Sequence, residues 1–155
     1  MSKKCDNKSV GMLVWRNDKL LLIERMKPPF GFAPPAGHVE GNDLFEDTAK
    51  RELEEEVGLK TKNIEFLIEG RKDNNYCHRG GSWHYWKIYK IEAEGEIKRS
   101  EDETKQAGFY SKSDIANLAA KTEKYIRGDI KEDEWQKSPG LEIVWYEWLK
   151  ELKII

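Results

Sequence analysis

Residues 52–56 read ELEEE, and the segment around them, GHVEGNDLFEDTAKRELEEEVGL from Gly37 to Leu59, has the pattern of a helix between two loops. At roughly 100° of rotation per residue, Glu52, Glu55 and Glu56 share an arc of about 100° that borders the apolar stripe of Phe45, Ala49, Leu53 and Val57. Glu54 points away. Carboxylates so placed repel one another unless a cation joins them, and an all-oxygen set suits a hard ion, Mg²⁺ or Mn²⁺. Arg51 stands four residues before Glu55, where it can orient that carboxylate and offset part of its charge. Helix geometry alone fits a solvated acidic face equally well.

The segment also resembles the Nudix box: a Gly, five residues, an acidic residue, seven residues, then Arg-Glu-apolar-any-Glu-Glu-any-Gly-apolar. Gly37, Arg51, Glu52, Leu53, Glu55, Glu56, Gly58 and Leu59 match. Asp43 departs from it, since the family usually has Glu there. The resemblance implies an α/β fold, the Nudix α/β/α sandwich, with the loop-helix-loop box beside a mixed sheet. It implies Mg²⁺-dependent cleavage of a diphosphate linkage in a nucleoside diphosphate joined to another group, which includes (di)nucleoside polyphosphates. Glu52, Glu55 and Glu56 would be metal ligands, together with the carbonyl of Gly37, and Arg51 would orient them. Water attacks phosphorus in this family, so a carboxylate must collect its proton. Glu103 is the favoured base, with Glu101 and Asp102 close competitors and Glu52 the candidate within the box.

Substrate clues are thinner. Tyr76 falls near the place where Nudix enzymes of dinucleoside polyphosphates carry a tyrosine, and Arg71, Lys72, His78 and Arg79 flank it in a glycine-containing stretch, Arg71 to Ser82. Stacking and phosphate contacts from Tyr76, Arg71 and Arg79 are chemically reasonable, although a solvated loop fits the same residues. His38, beside Gly37, is a further candidate for the substrate. The downstream proline associated with ADP-ribose hydrolases is missing, because no Pro occurs between Val57 and Ser138. Isomerase chemistry on a prenyl diphosphate would place a cysteine before the box, whereas Cys77 follows it. A nucleotide- or RNA-binding module without turnover is the alternative to an enzyme, and the intact carboxylates argue against it.

The elements that must position these groups can be read in outline. Val10 to Trp15 and Lys19 to Glu24 suggest a β-hairpin, and the prolines and glycines from Pro28 to Gly37 a shaped loop. A helix is expected over Leu44 to Val57, capped by Asp43 and stopped at Gly58. Strands are expected at Ile64–Glu69, Trp83–Ala93 and Phe109–Tyr110, with a charged connection over Glu94–Glu103. Helices should cover Asp114–Tyr125 and Leu141–Leu152. Trp83, Tyr85 and Trp86 fit the core better than a base-binding cleft.

With 155 residues, a single domain spanning 1–155 is expected, residues 1–8 forming a flexible tail. The formal charge of −2 supplies no broad cationic field, so neither duplex DNA nor a membrane surface is an expected partner. Capped RNA stays among the open substrates of the family. Cys5 and Cys77 suggest neither a disulfide framework nor a cysteine zinc site, and Met1 to Lys8 is too polar for a signal peptide, so a reducing cytoplasm is expected. Trp145, Trp148, Leu149 and Leu152 give the last helix an apolar face that could dock on the domain or in a homodimer.

Overall fold

A computed structural model describes residues 4–77 and 79–155, so His78 and residues 1–3 of the expected tail lie outside the described residues. In chain order the elements are β1 (Lys8–Leu13), β2 (Trp15–Arg16), β3 (Lys19–Arg25), β4 (Phe32–Ala33), β5 (Ala36–His38), α1 (Phe45–Val57), β6 (Lys60–Asp73), β7 (Trp83–Glu94), β8 (Thr104–Tyr110), α2 (Lys112–Ile126), α3 (Glu132–Lys137) and α4 (Ile143–Glu151). One sheet has the order β5-β1-β7-β6, with β1 and β7 parallel and the other neighbours antiparallel. In the second, β3 lies between β8 on one side and β2 and β4 on the other, all antiparallel.

Alternation along the strands sends side chains into two cores, which makes the fold a three-layer α/β/α sandwich. Val10, Met12, Leu21, Ile23, Tyr89 and Ile91 pack with Ala49, Leu53 and Val57 of α1. Their neighbours Leu13, Leu20, Leu22, Trp86 and Ile88 pack on the opposite side with Ile115 of α2 and Trp145, Trp148 and Leu149 of α4. No helix among the described residues is long and apolar enough to cross a membrane.

Several expected boundaries move. The two-residue turn of the hairpin is Asn17 and Asp18, both at positive φ, but it joins β2 to β3. The segment before it, β1, pairs with β5 and β7 instead. The part of the expected tail that is described is tied down: the Gly41 amide donates to Asp6, Asn7 donates to the Trp83 carbonyl at 2.7 Å, and Lys8 opens β1. The helix cap is also corrected. Leu44 occupies the N-cap of α1 without a side-chain hydrogen bond, and Asp43 lies 3.8 Å from the Arg51 guanidinium instead. Gly58, left-handed at φ 75°, closes the helix as expected.

β6 extends well beyond Ile64–Glu69 and takes Arg71 and Lys72 out of the expected loop. Much of the strand is exposed, and pairing along the length of β7 holds it; Arg71 stacks over Trp83 with its guanidinium carbon 4.0 Å from the ring centre. β8 starts at Thr104, zipped onto β3. The unexpected α3 is fixed by buried Trp135, stacked on Tyr125 at 4.0 Å.

The tightest seam between sheet and α4 is at Gly11, where a Cβ would lie 2.3 Å from the Trp145 ring. Gly11→Ala should therefore destabilise the protein by about 1–3 kcal/mol through overpacking, read as a lowered thermal midpoint. An unchanged midpoint would show that Trp145 can retreat.

Candidate active site

The apolar stripe of α1 faces the sheet, and this fixes the direction of its acidic edge. Glu56 is buried, Glu52 is four-fifths covered, and Glu55 stays 60% exposed on the rim. β5 runs alongside. A Cβ on Gly37 would fall 2.3 Å from Glu52 Cγ, so only glycine lets the backbone lie against that side chain. The connection after β7 is tied to the other end of α1, where the amides of Lys98 and Ser100 donate to the carbonyls of Val57 and Glu56, both at 2.8 Å. The adjoining turn brings Glu103 to the same cleft.

That cleft is a cavity of about 260 Å³ whose walls include Gly37, His38, Glu52, Glu56, Tyr76, Arg79 and Glu103. Its electrostatics are dominated by carboxylates that water no longer solvates. Burial raises the Glu52 carboxyl to about 7, with further upward pushes from Glu55 and Glu103; Arg51 and Arg79 oppose them. Burial, reinforced by Glu103 and Glu52, holds Glu56 well above its ordinary value against Arg25 and the Ala36 amide. Glu56 Oε2 is buried with no hydrogen-bond partner in the protein.

The candidates from the sequence divide into three groups. Gly37, Glu52, Glu56, Glu103, His38, Tyr76 and Arg79 are brought together around the cavity. Arg51 and Glu55 stand on its rim: the Arg51 guanidinium is 3.7 Å from Glu52, 3.9 Å from Glu55 and 3.8 Å from Asp43, bracing the acidic edge from outside. Arg71 is not brought in. It sits near the end of β6, paired with Asp73 at 2.8 Å and laid over Trp83. Arg79 is held by Glu40 at 2.8 Å, and Tyr76 is 63% exposed at the mouth.

Sequence reasoning missed two features of the walls. Glu142 is buried at the N-cap of α4, its carboxyl raised by burial and countered by Arg25 at 3.7 Å, and both line the cavity. Pro139 and Gly140 signalled the helix start but not where its first side chain would point. The second is a group of Cys5, His38, Cys77 and His84, drawn together from four segments, of which all but Cys5 line the cavity.

A family model, the NUDIX domain, matches residues 6–129. The chain belongs to the NUDIX family. It is 30% identical over 122 residues, 77% of this chain and 70% of the relative, to a protein of Methanocaldococcus jannaschii named ADP-ribose pyrophosphatase. Among solved structures it resembles a mutator MutT protein from Bacillus halodurans, at 26% identity and a TM-score of 0.60, covering 77% of this chain and 78% of that one. A NUDIX hydrolase from Nitrosomonas europaea shares the fold at 19% identity and a TM-score of 0.63, over 82% of this chain and 91% of that one.

The raised carboxyls of this NUDIX cleft set a pH dependence. The folded state holds the Glu52 proton more tightly than an unfolded chain with the ordinary value of 4.5, so stability is lost as pH rises from there through about 7. The loss from this group is at most about 3 kcal/mol. In Mg²⁺-free buffer Glu52→Gln should flatten that decline, and denaturation at pH 5 and pH 8 would measure it. A decline as steep as the parent's would remove Glu52 as its source.

Proposed function

We propose that this NUDIX pyrophosphohydrolase binds Mg²⁺, replaceable by Mn²⁺, at Glu52, Glu56 and the Gly37 carbonyl, with Glu55 completing the set from the rim, and hydrolyses a nucleoside diphosphate linked to a second group. The observation that carries this is the partnerless Oε2 of buried Glu56, beside two further acids. Buried acceptors are rarely left unsatisfied, and an all-oxygen donor set fits a hard divalent ion. The chemistry such an ion supplies is neutralisation of the diphosphate charge and acidification of water for attack on phosphorus.

The protein's own groups have separable tasks. Glu103, from the turn facing α1, accepts the proton of the attacking water, with Glu52 the second candidate. Arg51 orients Glu52 and Glu55 without touching substrate. Arg79 meets phosphate, and Tyr76 at the mouth offers its ring to a base. The methanococcal relative makes ADP-ribose the first substrate to test, although the downstream proline noted above is absent. Tyr76 makes dinucleoside polyphosphates the second.

Product release from ADP-ribose, dinucleoside polyphosphates, nucleotide sugars, nucleoside triphosphates and capped RNA should be compared with Mg²⁺ and with Mn²⁺. On the best substrate, Glu56→Gln should lower kcat at least about 100-fold while the Mg²⁺-free thermal midpoint stays level or rises. Glu103→Gln should lower kcat by about 100-fold or more if it is the base, whereas Tyr76→Ala should raise KM more than it lowers kcat. Turnover by Glu56→Gln equal to the parent's would sink the metal assignment, and Mg²⁺-dependent nucleotide binding without turnover on any substrate would favour a binding module.

A further inference from the structure

Cys5 precedes β1, His38 ends β5, Cys77 lies in the loop between β6 and β7, and His84 is the second residue of β7. One ligand atom from each falls within 4.8 Å of all the others. Cys5 Sγ is 3.3 Å from His84 Nε2 and 3.6 Å from Cys77 Sγ, and the rings of His38 and His84 lie 5.5 Å apart, centre to centre. A tetrahedral zinc site with Zn–S of about 2.3 Å and Zn–N of about 2.0 Å has S–N edges of about 3.5 Å and S–S edges of about 3.8 Å. The Cys5–His84 and Cys5–Cys77 distances each lie about 0.2 Å inside these edges.

The surroundings are built for the same geometry. His84 Nδ1 is 2.9 Å from the Asn75 carbonyl, which can only accept; Nδ1 therefore carries the proton, and Nε2 turns its lone pair toward the sulfurs. Fixing the second nitrogen of a ligating histidine in this way is the usual support of a metal site. The Asn7 amide donates to Cys5 Sγ at 3.4 Å. The loop closes back through Cys77 N–H to the Gly81 carbonyl, at 3.0 Å, and a Cβ on Gly81 would sit 2.6 Å from Cys5 Sγ and 3.2 Å from both Cys77 Sγ and His84 Nε2. The chain thus leaves room for the sulfurs and little else.

We propose that Cys5, His38, Cys77 and His84 bind one Zn²⁺ in a closed, structural site. Two sulfur and two imidazole donors select a borderline-soft ion, whereas the neighbouring glutamates suit a hard one, so the sites differ in chemistry and this one stands independently of the Mg²⁺ reading. With all four positions filled by the protein, no place is left for substrate. Binding displaces the two thiol protons to solvent and needs no oxidant. The ion clamps the N-terminal segment and β5 to the loop that carries Tyr76 and Arg79, and so sets one wall of the catalytic cleft. His38 becomes a ligand of this clamp rather than a contact to substrate.

The test uses the untagged full chain, kept reduced, stripped with a chelator and reloaded with Zn²⁺ or Co²⁺. The expected result is about one tightly held zinc per chain, and with Co²⁺ the intense visible bands and thiolate charge-transfer band of a tetrahedral S/N site. Cys5→Ser/Cys77→Ser should lose both signals, while Glu52→Gln/Glu56→Gln should keep both. Because the parent's Co²⁺ spectrum needs no variant, misfolding of the double serine protein does not blunt the test. A weak, octahedral Co²⁺ spectrum in the parent would overturn the proposal. So would undiminished zinc in the double serine variant, or a Cys5–Cys77 disulfide trapped by alkylation of freshly isolated protein.

Discussion

Burying the carboxyl group of Glu56 beneath the sheet edge sets the terms for everything around it. An isolated ionised group there costs several kcal/mol, and here two more acids push in the same direction. α1 cannot rotate the group outward, because Ala49, Leu53 and Val57 lock its apolar stripe into the core. The carboxyl must stay protonated or meet a compensating cation. Arg25 opposes this, yet it is already paired with Glu142, and Arg51 braces the exposed rim at Glu52 and Glu55. The fold thus holds an electrostatic deficit at one place, and the proposed divalent ion would answer it.

How much of this was legible depended on how far apart in sequence the participants stand. α1 was readable because Phe45, Ala49, Leu53 and Val57 record its buried face in one stretch, and Gly58 records its end. The helical wheel grouped Glu52, Glu55 and Glu56, but it carries no information about β5. The close approach of Gly37 sets β5 against Glu52 at the cleft, while Glu55 stays on the exposed rim. Glu103 was reachable as an acid on a later loop, whereas Glu142, Cys5 and His84 needed tertiary placement. β6 was underestimated because its support comes from its partner strand and not from its own alternation. Arg71 was misplaced with it.

The cysteines and histidines show the same limit more sharply. Zinc sites are recognised in sequence when ligands come in close pairs. Positions 5, 38, 77 and 84 contain no such pair, and only the parallel pairing of β1 with β7, the return of β5 along β1, and the turn through Gly81 bring them together. The oxygen donors proposed for Mg²⁺ and the sulfur and nitrogen donors proposed for Zn²⁺ would give two metal chemistries that do not compete for the same ion.

The hydrogen bonds from Lys98 and Ser100 to the carbonyls of Val57 and Glu56 have a mechanical consequence. The turn bearing Glu103 hangs from the last turn of α1, so acid and helix form one jaw whose parts cannot separate without breaking those two hydrogen bonds and leaving the end carbonyls of the helix unpaired. The opposing jaw, carrying Tyr76 and Arg79, is a loop set on the tip of the β6–β7 ribbon. With the proposed zinc ion fastening that loop to β5 as well, both jaws would be fixed at their roots, and a bulky ligand would enter a cleft whose width is already set.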